Sequence, residues 1–265
     1  MSSTQPESTP ALRHESGFGA FLAKTILGAG GLLQSFSDSG RMLGPWCDVL
    51  VNRFIVEAIA STYPAHGYVS EEGGSEDKGW ENLTWIIDPI DGSENFYRGI
   101  LSYSISISLV RCDDVLIGAV YEPYLRRLFY GEKGKGATLN GRPIHVSATS
   151  NLSEAVIAVS RCSSFLSNPF GDALVFQRLV EGLNVRISAS TALDMCCVAI
   201  GALDGRVMAN TRQWDNSAAT LLVREAGGMV TDWEGRFPAR EDRKLLATNG
   251  NCHTVLLDYL GSAGR

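Results

Sequence analysis

Residues 85–96 read W-I-I-D-P-I-D-G-S-E-N-F, and we expect the rest of the chain to be organised around them. Residues 83–87 form a short, mostly apolar run with β-branched side chains, which predicts a buried strand. Asp88 precedes a proline, so the strand is expected to end there, and residues 88–91 are expected to form a tight turn. Such a turn holds its first and last Cα atoms within about 7 Å, so the carboxylates of Asp88 and Asp91 can converge.

The residues after this turn suggest an anion site. Ser93 is a favourable residue for the N-cap of a helix, and the free N–H groups of a helix start attract anions. Two carboxylates beside such a start favour Mg²⁺ bridging to a phosphate, because Mg²⁺ binds through one or two carboxylates and substrate phosphate oxygens. The string D-P-x-D-G alone fits an ordinary surface turn equally well, since Asp, Pro and Gly are the usual turn residues.

Length and charge restrict the class of protein. With 265 residues, the chain can form one large domain or two closely packed ones. Lys and Arg number 23 against 29 Asp and Glu, which gives a net charge of −6. No basic block stands out, so we expect no nucleic-acid partner. An acidic protein that handles phosphate without a basic cluster needs another source of positive charge, and bound metal supplies it.

The cysteine and histidine patterns argue against zinc. None of the six cysteines forms a C-x-x-C pair, and the four histidines are scattered. We recognise no secretory leader, and Lys24 interrupts the best apolar run near the N-terminus. We therefore expect reduced thiols, a cytoplasmic location and no membrane span.

Two helices are predicted before the first strand. Residues 1–14 are rich in Ser, Thr, Pro and Gln, which is typical of a disordered tail. Helical spacing of apolar residues predicts helices over 17–37 and 49–63, the second ended by Pro64. Glycines at 28–31 follow no predicted strand and lack the G-x-G-x-x-G spacing, so a nucleotide loop is not favoured.

Strands dominate the middle of the chain. Residues 68–70 predict a short strand, and strict alternation over 103–110 predicts a half-buried one. Residues 115–121 and 127–130 continue it as an antiparallel meander. The string G-E-K-G-K-G-A-T (131–138) lacks the ending of a phosphate loop and predicts a hairpin turn.

After residue 147 strands and helices alternate, which indicates a separate α/β layer. The predicted elements are strands at 155–160, 185–188 and 205–210 and helices at 172–181 and 191–202. We therefore predict an N-terminal α+β domain over 15–147 with the antiparallel sheet, and a C-terminal α/β domain over 148–265. A further helix follows Trp214, with Asp215 at its N-cap or in its first turn and Gly227 at its C-cap.

Two strings resemble the signatures of the inositol monophosphatase family of Mg-dependent, lithium-sensitive phosphatases. The first, residues 85–96, matches W-x-x-D-P-[IL]-D-G-T-x-N-F except that Ser93 replaces Thr and keeps its hydroxyl. The second is W-D-N-S-A-A-T-L-L-V-R-E-A-G-G, residues 214–228. With the similar sheet region between them, the resemblance covers roughly residues 18–250. It implies a layered αβαβα sandwich of mixed α+β and α/β type, hydrolysis of a small phosphate ester, and a homodimer.

The resemblance also implies a ligand set. Two Mg²⁺ ions would be held by Glu71, Asp88, the carbonyl of Ile90, Asp91 and Asp215. Glu71 comes from the string Y-P-A-H-G-Y-V-S-E-E (63–72), which resembles the family segment that delivers a metal-binding Glu.

Asp48 would help with a third ion and a water. The string M-L-G-P-W-C-D (42–48) keeps the family's final Asp but loses its first Asp and its Thr. Asp48 fits the N-cap of the following helix as well. The third metal site therefore stays open.

The resemblance assigns the substrate contacts as well. Ser93, with Asp48, would orient the attacking water, and the N–H groups of Gly92 and Ser93 would hold the phosphate. The alcohol would rest on Asp91 and the turn Ala189-Ser190-Thr191.

Met208 stands where inositol-specific members carry a Glu, and it cannot accept a polyol's hydrogen bonds in the same way. A sugar phosphate, histidinol phosphate or nucleotide-type phosphate is therefore as well supported as an inositol phosphate. Arg212 and Arg186 are candidates for reading a second negative group, or solvated surface charges. A non-catalytic relative that binds metal or phosphate is the alternative function.

Overall fold

The computed structural model describes residues 17–38, 42–76, 78–159 and 172–261. The predicted tail at 1–14 and the end of the strand predicted at 155–160 lie outside these ranges. The described residues form thirteen strands and seven helices. No helix within these ranges has both the length and the apolar character needed to cross a membrane.

The first sheet has eight strands in the order β2-β1-β3-β4-β5-β6-β7-β8. Strand β1 runs parallel to β3, and the strands from β3 to β8 pair antiparallel in sequence order. The predicted meander, β4 to β6, is the central part of this series. The strands are β1 Gly67–Ser70, β2 Ser75–Glu76, β3 Thr84–Asp91, β4 Ser104–Arg111, β5 Asp114–Glu122, β6 Arg127–Glu132, β7 Ala137–Leu139 and β8 Arg142–Pro143.

The second sheet has five strands in the order β10-β9-β11-β13-β12. Strand β9 is parallel to both of its neighbours, whereas β13 is antiparallel to β11 and β12. The strands are β9 Val156–Val159, β10 Asn184–Arg186, β11 Gly205–Ala209, β12 Met229–Asp232 and β13 Lys244–Thr248.

Three apolar clusters stack the elements in five layers. The helices are α1 Gly17–Asp38, α2 Trp46–Thr62, α3 Ser93–Tyr97, α4 Asp172–Gly182, α5 Thr191–Ala199, α6 Gln213–Glu225 and α7 His253–Gly261. Helices α1 and α2 pack on one face of the first sheet, and α5 and α6 fill the space between the two sheets. Helices α4 and α7 cover the outer face of the second sheet. This confirms the predicted αβαβα sandwich.

Strand β4 was predicted to be half-buried, and this prediction is wrong. Its alternate serines, Ser104, Ser106 and Ser108, are as buried as the apolar residues between them. They face helix α6, and the Ser108 hydroxyl donates to that of Ser217 at 2.8 Å. Small hydroxyl residues let the helix approach the strand closely. The apolar residues and the serines of β4 therefore face two different buried layers, and neither face is exposed to solvent.

The end of β3 also differs from the prediction. The strand does not stop at Asp88 but runs through Pro89 to Asp91. The pairing partners of Asp88 and Asp91 on β4 are Ser106 and Ser104, so three residue steps on β3 face two on β4. The chain therefore forms a bulge, where proline is tolerated because no ladder hydrogen bond is needed.

The observed helix boundaries differ from the predicted ones at three places. Helix α2 begins at Trp46 rather than at residue 49, which puts Asp48 in its first turn and not at its N-cap. Ser93 is the first residue of α3, and Gly92 is the N-cap, so the predicted cap at Ser93 is wrong. Helix α5 ends at Ala199 instead of 202.

Adjacent glycines in α1 have opposite surroundings. A Cβ atom on Gly30 would lie 2.2 Å from the Tyr121 ring of β5, whereas one on Gly31 would meet nothing within 4 Å. The glycine cluster at 28–31 therefore includes a contact that lets the helix lie close against the sheet.

We expect Gly30→Ala to lower the free energy of unfolding by about 1–3 kcal/mol, because the added methyl overpacks against Tyr121. Gly31→Ala is the matched control and should raise stability by about 0.5–1 kcal/mol through helix propensity. Urea denaturation of the two variants measures both. Equal effects would show that α1 does not depend on this close approach.

Candidate active site

The bulge at the end of β3 presents two buried carboxylates. Asp88 is 1% exposed and Asp91 is 6% exposed. The Asp88 carboxylate accepts the Ile90 N–H at 3.1 Å, which shapes the bulge.

Asp91 is held by the segment that leads into α5. Its carboxylate accepts the backbone N–H groups of Thr191 and Ala192 at 3.0 and 2.9 Å. It also accepts the hydroxyl of Ser190, while the Ser104 hydroxyl donates from the neighbouring strand at 3.3 Å. These four donors fix the orientation of Asp91 and offset the cost of burying it.

Glu71 reaches the same place from the parallel strand. It directly follows β1, and its N–H donates to the Ile87 carbonyl of β3 at 3.2 Å. Its side chain is hydrogen-bonded to that of Asp88, although Glu71 itself is exposed. A proton shared between two carboxyl groups makes this contact possible.

Asp215 joins the group from the first turn of α6. Its carboxylate accepts the Arg212 N–H at 2.7 Å and the Thr211 hydroxyl at 3.3 Å. At the other end of the helix, Gly227 has φ of 90°, and its N–H donates to the Arg224 carbonyl. The N–H of Gly228 donates to the Val223 carbonyl, so the helix ends in a Schellman motif.

The pKa values place the four carboxylates in one cluster. Burial raises the pKa of Asp88 well above its ordinary value, and the charges of Glu71, Asp91 and Asp215 raise it further. Burial raises the pKa of Asp91 to about 6, opposed by the Ser190 hydrogen bond and supported by the charge of Asp215. The pKa values of Glu71 and Asp215 are raised as well, first by the loss of water around their carboxyl groups. The structure therefore brings together the four acidic residues that the sequence singled out.

The chemistry of this cluster fits a hard divalent cation. All the donors are carboxylate oxygens, which Mg²⁺ prefers. Burial opposes the ionisation of all four groups, and neighbouring negative charges add to this effect at Glu71, Asp88 and Asp91. Among the described residues, no group of three or more His, Cys, Asp or Glu side chains is arranged as it stands to hold a metal ion. Glu71 and Asp88 are bonded to each other instead. A cation would replace that shared proton.

Asp48 and Ser93 are linked through a residue that the sequence analysis missed. The Tyr97 hydroxyl donates to the Asp48 carboxylate and is also hydrogen-bonded to Ser93. Asp48 is 2% exposed, and burial raises its pKa to about 6. The sequence did contain a signal for the contact between Ser93 and Tyr97, because residues four apart on a helix lie on the same face.

The predicted substrate residues separate into two groups. The segment 189–191 borders the site through its contacts with Asp91, and Ala189 adopts a φ of 64° there. Met208, in contrast, is completely buried in the cluster between the sheets and presents no accessible surface. Arg212 is exposed, and its charge lowers the pKa of Asp215. Arg186 is exposed and bonded to Asn184, as a surface residue would be.

A buried ion pair supports the segment at 188–191. Arg206 lies 3.3 Å from the Asp194 carboxylate, and their side chains are 2% and 6% exposed. Asp194 accepts the Ser188 hydroxyl at 2.6 Å, and Arg206 donates to the Thr191 hydroxyl at 3.3 Å. Sequence alone offered no signal for this pair, because Arg206 looks like one more charge in an alternating strand.

Residues 45–264 match the inositol monophosphatase family. The chain is 34% identical over 238 residues to inositol-1-monophosphatase of Synechocystis, covering 88% of this chain and 82% of that relative. It is 35% identical over 228 residues to Nus factor SuhB of Xylella fastidiosa, covering 82% and 81%.

Solved structures agree with these relatives. The inositol monophosphatase from Anabaena (Nostoc) superposes with a TM-score of 0.85 at 32% identity, covering 92% of this chain and 95% of that one. The chain therefore belongs to the inositol monophosphatase family. It is a phosphoric monoester hydrolase.

The cluster predicts how stability depends on pH when metal is removed. The ordinary pKa of Asp91 is 3.8, and the folded value is about 6. A raised folded pKa stabilises the fold below the ordinary value, and this contribution is lost as pH rises through the folded value. With chelator present, we therefore expect the melting temperature to fall between pH 4 and pH 7, and to recover on adding Mg²⁺.

Asp88→Asn removes one of the repelling charges. At pH 8 in chelator we expect this variant to melt about 2–4 °C above the wild type, because one pKa unit corresponds to about 1.4 kcal/mol. At about pH 2, well below the ordinary pKa of 3.8, the group is neutral in both the folded and the unfolded wild type, and the difference should vanish. A variant that melts lower at pH 8 would contradict the clustering of like charges.

The Arg206–Asp194 pair gives a prediction about stability. Arg206→Met leaves the Asp194 charge buried and unpaired, so we expect a loss of about 3–5 kcal/mol in unfolding free energy. The double variant Asp194→Leu with Arg206→Met removes both charges and should recover most of that loss. Chemical denaturation measures all three proteins. A double variant as unstable as the single one would show that packing, not charge, dominates here.

Proposed function

We propose that this protein is a Mg²⁺-dependent phosphomonoesterase that hydrolyses a small phosphorylated alcohol with a water molecule as the nucleophile. The observation that carries the proposal is the convergence of Glu71, Asp88, Asp91 and Asp215, from three separate parts of the chain, in one cluster of raised pKa values. Metal binding relieves the repulsion that these groups impose on one another.

The proposed ligands are the four carboxylates and the backbone carbonyl of Ile90, with Asp48 as a candidate for a third ion. Bound Mg²⁺ would supply Lewis acidity, which lowers the pKa of water and neutralises charge on the ester oxygens. Asp91 is already oriented by its four donors, so it loses little freedom when it binds. Inhibition by lithium is part of the same proposal.

Ser93 and Asp48 would orient the attacking water. The Ser93 hydroxyl is half-buried at the start of α3, two residues after Asp91. The backbone N–H groups of Gly92 and Ser93 would hold the equatorial phosphate oxygens, where stabilisation matters most in a loose transition state. Gly92 suits this role, because its φ of 85° and the carbonyl of Ser102, 2.9 Å from where a Cβ would lie, exclude a side chain.

The alcohol part of the substrate would rest on Asp91 and the segment 189–191. No glutamate occupies position 208, and Met208 is turned into the core. Polyol recognition of the inositol-specific kind therefore has no acceptor at that position. We propose a sugar phosphate, histidinol phosphate or nucleotide-type phosphate as an equal candidate beside inositol phosphate, with Arg212 as a second anion contact.

Release of inorganic phosphate from a panel of these monoesters, with and without Mg²⁺ and with Li⁺, tests the proposal. We expect Mg²⁺-dependent turnover of at least one ester, inhibited by Li⁺. Asp88→Asn should reduce kcat by at least about 100-fold while circular dichroism stays unchanged. A flat panel with an intact fold would favour a non-catalytic protein that binds metal or phosphate. Sizing of the same sample tests the proposed homodimer.

A further inference from the structure

Tyr97 connects two residues of the proposed water site. It is the last residue of α3 and lies four positions after Ser93, so both hydroxyls are on the same side of the short helix. Its hydroxyl donates to Asp48, which belongs to the first turn of α2. The contact therefore joins two helices that are far apart in the sequence.

The donor and the acceptor in each hydrogen bond from Ser93 through Tyr97 to Asp48 follow from the number of protons that each group carries. A tyrosine hydroxyl has one proton, and here it is given to the Asp48 carboxylate. The ordinary pKa of a tyrosine hydroxyl is about 10, so at neutral pH the proton stays on the ring oxygen. The hydrogen bond between Ser93 and Tyr97 must then be donated by Ser93. With its only proton committed, the Ser93 oxygen can act towards any further partner solely as an acceptor.

We propose that Tyr97 is a positioning residue, which commits the Ser93 proton and so makes the Ser93 oxygen an acceptor for the attacking water. This inference rests on the proposed function. A water that donates to Ser93 has its lone pairs free for the phosphorus, which is the orientation that in-line attack requires. Asp48 then acts on the water through Tyr97 and Ser93 rather than by direct contact.

The alternative is a purely structural role, in which Tyr97 only satisfies the buried Asp48 carboxylate. That role predicts a loss of stability when the hydroxyl is removed, and the same fractional loss of activity whatever occupies position 93. The positioning role predicts a loss of kcat that depends on Ser93.

The test is Tyr97→Phe, which removes one hydroxyl and keeps the ring. We expect kcat to fall about 10–100-fold with KM unchanged, because the substrate contacts remain and only the water is misplaced. The control is Tyr259→Phe, which removes a hydroxyl that donates to the Arg178 carbonyl at 2.7 Å on the outer layer. It should leave kcat and KM unchanged.

A double-mutant cycle separates the two roles. Ser93→Ala should lower kcat, and adding Tyr97→Phe to it should cause no further loss. A Tyr97→Phe protein with wild-type kcat would overturn the proposal. A loss from Tyr97→Phe of the same size with and without the Ser93→Ala substitution would overturn it as well.

A second measurement does not depend on activity. The Tyr97 hydroxyl proton should give a slowly exchanging downfield NMR resonance that disappears in Tyr97→Phe and shifts in Ser93→Ala. In Asp48→Asn it should move upfield, because a neutral amide oxygen accepts more weakly than a carboxylate. If the wild type hydrolyses no ester but this resonance behaves as expected, the proposed function fails while the hydrogen-bond chain stands. If esters are hydrolysed and the Ser93→Ala spectrum is unshifted, the positioning role is wrong and the proposed function stands.

Discussion

The molecule depends on the burial of the Asp91 carboxylate at the point where two parts of the chain meet. Its partners at residues 190–192 begin α5, a helix between the two sheets, while Asp91 itself ends a strand of the first sheet. A buried carboxylate is tolerated only when hydrogen bonds replace its water, so these donors must be present and correctly placed. The same bonds that join the two parts therefore also orient the residue on which the proposed chemistry centres.

Around Asp91 the protein places further acidic side chains, and their mutual repulsion is unfavourable for folding. Asp88 is buried beside Asp91, and Glu71 and Asp215 raise its pKa further. Such repulsion lowers the stability of the metal-free protein and would raise its affinity for the proposed cation, since both follow from the same electrostatic work. Arg206, which pairs with Asp194, also lowers the pKa of Asp215, but burial keeps that pKa above its ordinary value.

Much of the fold could be predicted, because it follows from local periodicity. The antiparallel meander from β4 to β6 and the helices α1 and α2 were expected from residue spacing alone. The predictions for β4 and for the end of β3 were wrong because the same local pattern can arise from either of two structures. Alternating serines in β4 look like a solvent-facing row, yet they face α6. Asp-Pro at 88–89 looks like the end of a strand, yet the bulge keeps it inside the sheet.

The sequence by itself determined the family and the identity of the acidic residues, because both are carried by contiguous signatures whose residue types and spacing are specific. Only the tertiary structure decided which side chains touch across long separations. It placed Tyr97 between Asp48 and Ser93, paired Arg206 with Asp194, and turned Met208 into the core. These outcomes depend on how helices and sheets pack against one another, and the residue spacing within a single segment does not determine that packing.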